Sequence, residues 1–274
     1  MIIYLDRNIH EDIRQNRKHF SKALATKCYH LKKQGYLFPC SCIHAEETAT
    51  SFVLQDRPGA DKYIREEIEF ILSISEGRII VPIDRKIISD SKNYTGIIQD
   101  YVNFFVIVVE NLNDRVQLVV DYVDQTRDAL NNDLERDFCL KSHQFCSTHL
   151  LKSNMFNSIN PCSFFEDAHI TLLYGHYCES YELGPLISDF DTFMAAIEHR
   201  YDFLDVIQYY KTKDIHKETS VRSRMYDVGH VIYASSCDVL VTDDQRMLYK
   251  AKAIYADLGI RTEVMSPLEF CKQL

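Results

Sequence analysis

Two short apolar runs, far apart in the chain, each end in a carboxylate. They are Ile2-Ile3-Tyr4-Leu5-Asp6 and Val239-Leu240-Val241-Thr242-Asp243-Asp244. Each has the length and composition of a buried strand. In a parallel α/β sheet, ligands and catalytic groups collect beyond the carboxyl ends of the strands. Acids delivered there by two strands can share one cleft. The economical use of clustered carboxylates is to hold a hard divalent cation, Mg²⁺ or Mn²⁺. Two more acidic places have matching surroundings. Glu46 and Glu47 follow Ser41-Cys42-Ile43-His44-Ala45, and Asp227 is read as opening a helix that runs through Ala234. Taken singly, an Asp at a strand end or in a first helical turn is an ordinary cap. The ordered set of four points to a metal site.

These acids need elements to position them. Ile2 to Leu5 reads as a strand, Arg14 to Lys33 as a helix stopped near Gly35, and Tyr36 to Cys42 as a short strand weakened by Pro39. Ile43 to Val53 reads as a helix, and Ile64, Ile68, Ile71 and Leu72 continue at helical spacing beyond Pro58-Gly59. Between Ile97 and Tyr174 there is no glycine, and Pro161 is the only proline, which favours helices. Ile97, Tyr101, Phe104, Phe105, Val108 and Leu112 mark one apolar face, and Asp121 to Asp137 is an acid-rich, solvated one. Ser188 can cap a helix with the apolar face Phe190, Phe193, Ile197, Tyr201 and Leu204. After Arg224 the pattern returns to α/β. Helices are expected over Tyr226–Ser236 and Gln245–Leu258, the second ended by Gly259, with strands over Val239–Val241 and Thr262–Met265. The expected architecture is an α/β core from residues 1–57 and 224–274, with 58–223 a mostly helical insertion packed on it.

The 274 residues are 46% hydrophobic, enough for a sizeable core and against disorder. No apolar run approaches the ~18 residues of a membrane span. The first residues lack the basic and long apolar parts of a signal peptide, so a cytoplasmic protein without a membrane partner is expected. Nine cysteines with no CxxC pair read as reduced, mostly buried thiols. The net charge of -9 argues against a general polyanion binder, but the cations are not evenly spread. Arg14, Arg17, Lys18, Lys22, Lys27, Lys32 and Lys33 occur in a stretch without an acid, and Lys211, Lys213, Lys217, Arg222 and Arg224 precede Asp227. Both stretches adjoin the candidate acids in sequence. That suits a substrate with a polyanionic backbone, RNA before a small phosphate ester. Tyr209, Tyr210 and Tyr226 could stack on unpaired bases, although core packing is the commoner use of such residues. Among the histidines near acids (His10, His44, His230), His230 is the first to test, one helical turn after Asp227.

In this order the sequence resembles the PIN domain, a metal-dependent nuclease fold found in many endoribonucleases and toxin–antitoxin toxins. Asp6-Arg7-Asn8 matches its opening Asp-x-Asn after a strand. Ser41, Ile43 and Glu47 match its Ser-x-Ile strand end with an acid six residues on. Asp227 and the Ala234-Ser235-Ser236 stretch match its third acid and helix, and Thr242-Asp243-Asp244 its Thr-x-Asp strand end. The match covers roughly the first 55 and last 50 residues, and the chain is about twice the usual length. Arg7 stands where a small polar residue is common, and adjacent Glu46 and Glu47 leave open which acid faces the site. The resemblance implies a PIN-like parallel sheet flanked by helices and catalytic acids Asp6, Glu47, Asp227 and Asp244. Asp6, Asp227, Asp244 and Asp243 would be metal ligands; Asn8, Thr242 and Glu46 would be supporting groups. Mg²⁺ or Mn²⁺ is the implied cofactor and RNA the implied substrate. RNA contacts would come from Arg14, Arg17, Lys18, Lys22, Lys213, Arg222 and Arg224. A toxin or phage-defence role, an antitoxin or regulatory protein partner, and a homo-oligomer stay open.

A haloacid-dehalogenase-like phosphatase needs a second Asp two residues after the first, where this chain has Asn8. The order of acids does not suit a response-regulator receiver. There is no GxxxxGK[ST], GxSxG, HExxH or Gly-rich dinucleotide motif. The alternative from another class is a non-catalytic PIN-like module binding RNA or protein.

Overall fold

The apolar runs that end in Asp6 and Thr242 lie side by side. In a computed structural model, β1 (Ile3–Leu5) pairs in parallel with β2 (Val239–Val241), which pairs in parallel with β3 (Glu263–Met265), placing β2 at the centre. Leu5 is level with Val241, and Val241 with Met265, so all three strands end at one edge. Both faces are covered, as expected of a parallel sheet; β1 and β2 are buried at every residue. The structure describes residues 1–53, 60–81, 86–89, 156–179, 190–211 and 218–273, together with Gln125 and Asp128. The expected apolar face over Ile97–Leu112 and the cap at Ser188 lie outside them, as does all but Gln125 and Asp128 of the acid-rich face over 121–137.

The helices around this sheet are α1 (Arg7–Gln15), α2 (Ser21–Lys33), α3 (Cys42–Val53) and α4 (Ala60–Ser75). Further along the chain come α5 (Ala168–Glu179), α6 (Phe190–Val206), α7 (Glu218–Ala234), α8 (Gln245–Asp257) and α9 (Pro267–Gln273). The helix expected over Arg14–Lys33 is two helices. Asn16 takes a left-handed conformation (φ 51°) and ends α1, a break that Asn tolerates and that leaves no Gly or Pro to read. Gly35 (φ 86°) ends α2 as expected, with the Tyr36 N–H donating to the Leu31 carbonyl. The strand expected over Tyr36–Cys42 reduces to two isolated parallel bridges, Ile2 with Leu37 and Cys40 with Ile79. An antiparallel pair, β4 (Arg78–Val81) with β5 (Lys86–Ser89), lies within the segment expected to be mostly helical.

By its contacts the chain divides into two units, the first comprising 1–113, 229–248 and 261–274, the second 114–228 and 249–260. The division differs from the expected one: the first unit reaches well past residue 57 and α7 is shared. In the first unit, Ile3, Leu5, Val239 and Val241 pack with Leu24, Cys28 and Leu31 of α2 and Phe270 of α9. Ile64, Ile68 and Ile71 bury one face of α4 against Cys40 and Ala45, as their spacing requires. Gly229 lets α7 approach α3: a Cβ there would meet Ile43 Cδ1 at 2.7 Å. Cys28, Cys40 and Cys237 are buried thiols outside any disulfide. In the second unit, Phe193, Ile197, Tyr201 and Leu204 form the buried face of α6. Asp167 caps α5, accepting from the His169 and Ile170 N–H groups. Among the described residues no helix is long and apolar enough to cross a membrane.

Candidate metal centre

Asp6 leaves β1 and caps α1, its Oδ1 accepting the Asn8 N–H at 3.2 Å. Its Oδ2 accepts from the Thr242 hydroxyl at 2.9 Å, across the strand pair whose register puts Leu5 beside Val241. One side chain from each run named at the outset therefore meets the other. Glu47 reaches the same place from α3, and His230 from α7. Asp6, Glu47 and His230 each offer a donor atom within 4.8 Å of the others. His230 Nε2 lies 3.0 Å from Glu47 Oε2 and 3.8 Å from Asp6 Oδ1.

His230 is held from behind. Its Nδ1 is 2.9 Å from Tyr4 Oη, and Tyr4 Oη is 2.6 Å from Ser41 Oγ. His44 completes the buried polar cluster, its Nε2 2.8 Å from the Leu5 carbonyl and its Nδ1 accepting the Ser41 N–H at 3.1 Å. A carbonyl accepts and a backbone N–H donates, so His44 carries its proton on Nε2. Burial, with the charges of His230 and His10, holds its pKa well below the ordinary value. His10, one turn into α1 from Asp6, packs against His44 with a ring separation of 5.3 Å. Both its ring nitrogens are buried without a hydrogen-bond partner, and burial lowers its pKa to about 3.

A second layer of charge lies beneath the acids. Arg7 is buried, with Nε 2.8 Å from Glu67 Oε1 and Nη1 3.7 Å from Glu47 Oε1. Arg14 Nη2 approaches the other oxygen of fully buried Glu67 at 3.6 Å. Burial raises the Asp6 carboxyl, opposed by His230. Burial also acts on Glu47, but the hydrogen bond and charge of His230, with the charge of Arg7, outweigh it and hold that carboxyl below its ordinary range. Glu46 is half-buried and desolvation pushes it up to about 7. Of the adjacent pair, Glu47 is the one that enters the cluster.

The other expected ligands have different occupations. Asp244 caps α8, its Oδ1 accepting the Arg246 and Met247 N–H groups at 2.7 and 3.2 Å, while its Oδ2 pairs with Arg246 Nη2 at 2.9 Å. Asp243 Oδ2 pairs with Lys18 Nζ at 2.7 Å. Neither joins the three-residue group found among the described residues. Asp227 does not open a helix: α7 begins at Glu218, nine residues earlier, and Asp227 belongs to the stretch in the second unit, where its charge acts on Lys250. Thr242 meets Asp6 through its hydroxyl, and position 8 through its backbone N–H.

Of the expected RNA contacts, Arg224 and Arg222 are buried, whereas Arg17 and Lys18 are exposed and take part in surface ion pairs. Arg224 is buried in the second unit between Asp202 and Asp205, with Nε 2.7 Å from Asp205 Oδ2. Lys250 Nζ reaches Asp205 Oδ1 at 2.5 Å. Arg222 is buried too. Arg17 pairs with Glu11 and Asp12, and Lys18 with Asp12 and Asp243. Lys213 lies outside the described residues. Tyr209 and Tyr226 are core residues, and Tyr210 stacks on Tyr249 at 4.1 Å rather than standing free. Lys22 is exposed, on a solvent face of α2 that also presents Tyr29, His30 and Lys33. Sequence reasoning missed His230 as a cluster member, Tyr4 as its support and Glu67 as the partner of Arg7. For His230 a signal existed in its spacing of three from Asp227; for Tyr4 and Glu67 none did.

Comparison with protein-family models, curated proteins and solved structures found no match.

Proposed function

We propose that the protein is a metal-dependent endoribonuclease with a PIN-like core, hydrolysing phosphodiester bonds in RNA. The observation that carries this reading is the convergence of Asp6, Glu47 and His230 at the carboxyl edge of a parallel sheet. Two carboxylates and an imidazole in that arrangement fit a divalent cation such as Mn²⁺ or Mg²⁺. Bound there, such an ion would stabilise charge on the phosphoryl group and lower the pKa of a water. Asp6 is held in place for that task by Thr242 and the Asn8 N–H, and Glu47 by Arg7. Arg7 offsets part of the carboxylate charge, so the pocket tolerates burial between turnovers. The acid-free α2, with exposed Lys22, Tyr29, His30 and Lys33, supports RNA as the polyanion. Tyr29 is 56% exposed with Lys33 Nζ 4.4 Å from its ring centre, a surface on which an unpaired base can stack. A toxin or defence role rests on the resemblance, and a cytoplasmic location on the opening residues' lack of signal-peptide character.

The test is incubation of the purified chain with single-stranded RNA in Mn²⁺, with and without chelator. Internal cleavage that stops with chelator is expected. Intact RNA of every sequence tried, with Mn²⁺ present, would support the non-catalytic binding module instead.

A further inference from the structure

We propose that His230 Nε2 is a direct ligand in this centre, and that the resulting two-carboxylate, one-imidazole set selects a transition-metal dication over Mg²⁺. The proposal rests on the metal-site reading above and deepens it. Mg²⁺ takes oxygen ligands almost exclusively, whereas imidazole suits the later first-row ions, and a mixed set belongs between the two. Cis donors on bonds of about 2.1 Å lie roughly 3.0–3.4 Å apart; the His230–Glu47 pair at 3.0 Å is already at that spacing, and Asp6 at 3.8 Å from His230 has to move inward.

The orientation of His230 is set for ligation. Its Nδ1 faces Tyr4 Oη at 2.9 Å, so Nε2 is the nitrogen that faces both acids. Tyr4 can accept an Nδ1–H while donating to Ser41 Oγ at 2.6 Å, so a bound ion would take the place of the Nε2–H that meets Glu47 Oε2 at 3.0 Å, that proton being released to solvent. An outer hydrogen bond of this kind is the usual way a protein fixes a ligating imidazole. Ser41 Oγ can accept from Tyr4 while its own hydroxyl donates toward His44 Nδ1, 3.2 Å away. A second observation is independent of the acids. His10 is 99% buried, one turn from Asp6, and neither of its ring nitrogens has a partner. A buried polar group left in that state calls for an ordered water or another polar partner beside the cluster.

The experiment uses the full chain, with Co²⁺ and Mg²⁺ titrated calorimetrically and Mn²⁺ examined by pulsed electron paramagnetic resonance. Wild-type protein with Mn²⁺ is expected to show coupling to one histidine nitrogen, a readout that needs no variant. His230→Gln is expected to weaken Co²⁺ about 10–100-fold while changing Mg²⁺ far less. His230→Asp, an all-oxygen set, should narrow the Co²⁺-to-Mg²⁺ preference. Absence of nitrogen coupling, or equal loss of both metals in His230→Gln, overturns the inference, and RNA cleavage that still stops with chelator then leaves the nuclease reading intact. Nitrogen coupling without cleavage of any RNA upholds the inference and overturns that reading. Failure to bind any of the three ions overturns the inference outright.

Discussion

Asp6 owes its position to two hydrogen bonds from groups that sequence alone could name, the Thr242 hydroxyl and the Asn8 N–H. The Thr242 hydroxyl also accepts the Asp244 N–H at 3.1 Å, so a single oxygen ties the strand end to the start of α8. Thr242→Val keeps the shape and removes that oxygen. It should weaken Mn²⁺ binding by about 10–100-fold, with little change in circular dichroism; an unchanged affinity by calorimetry would show that Asp6 needs no such support. Asp6 and Glu47 were legible because strand ends and local spacing are properties of short segments. Asp227 was misplaced because α7 starts at Glu218, within a stretch that sequence reading singled out for its charge and not for its conformation. Asp243 and Asp244 were legible as strand-end acids but not as partners of Lys18 and Arg246, since an ion pair depends on where the second chain segment lies.

At the scale of elements, α1 is joined to α4 by Arg7 and Glu67, and Arg14 adds a second cation to the same carboxylate. Removing one member of a buried pair leaves an uncompensated charge, which costs far more than the pair contributes. Glu67→Ala should therefore lower stability by about 3–5 kcal/mol, and Arg7→Met with Glu67→Leu should recover most of that in denaturant titrations. A single-variant loss below ~1 kcal/mol would mean that Glu47 alone satisfies Arg7. The α2 face carries a different prediction. Lys22→Glu with Lys33→Glu should weaken RNA binding and flatten its dependence on salt, read by fluorescence anisotropy at two ionic strengths. An unchanged slope would remove α2 from the RNA path. Parallel strands and the burial stripes of α4 and α6 followed from periodicity. The break at Asn16 and the β4–β5 pair did not, because one is a single left-handed residue and the other a pairing chosen by partners distant in sequence.

The whole molecule keeps neutral histidines in both of its units. Burial lowers His10 to about 3 in the first, and His199 to about 4 in the second. Unfolded, each would titrate near 6.5. Their contribution is thus fully present above about pH 6.5 and is lost as pH falls toward the folded values, because the unfolded chain takes up the protons. By pH 5 His10 should cost on the order of 2 kcal/mol, and His199, closer to solvent, less. His10→Phe should flatten the fall in stability between pH 7 and pH 5; an equally steep fall in that variant would place the acid sensitivity elsewhere.

The most direct test is the single-turnover rate of RNA cleavage in saturating Mn²⁺, wild type beside Asp6→Asn. Loss of one carboxylate that holds the ion should slow cleavage by about 100-fold or more, with the variant folded by circular dichroism. Cleavage by Asp6→Asn at the wild-type rate would contradict the assignment of this centre as the catalytic one.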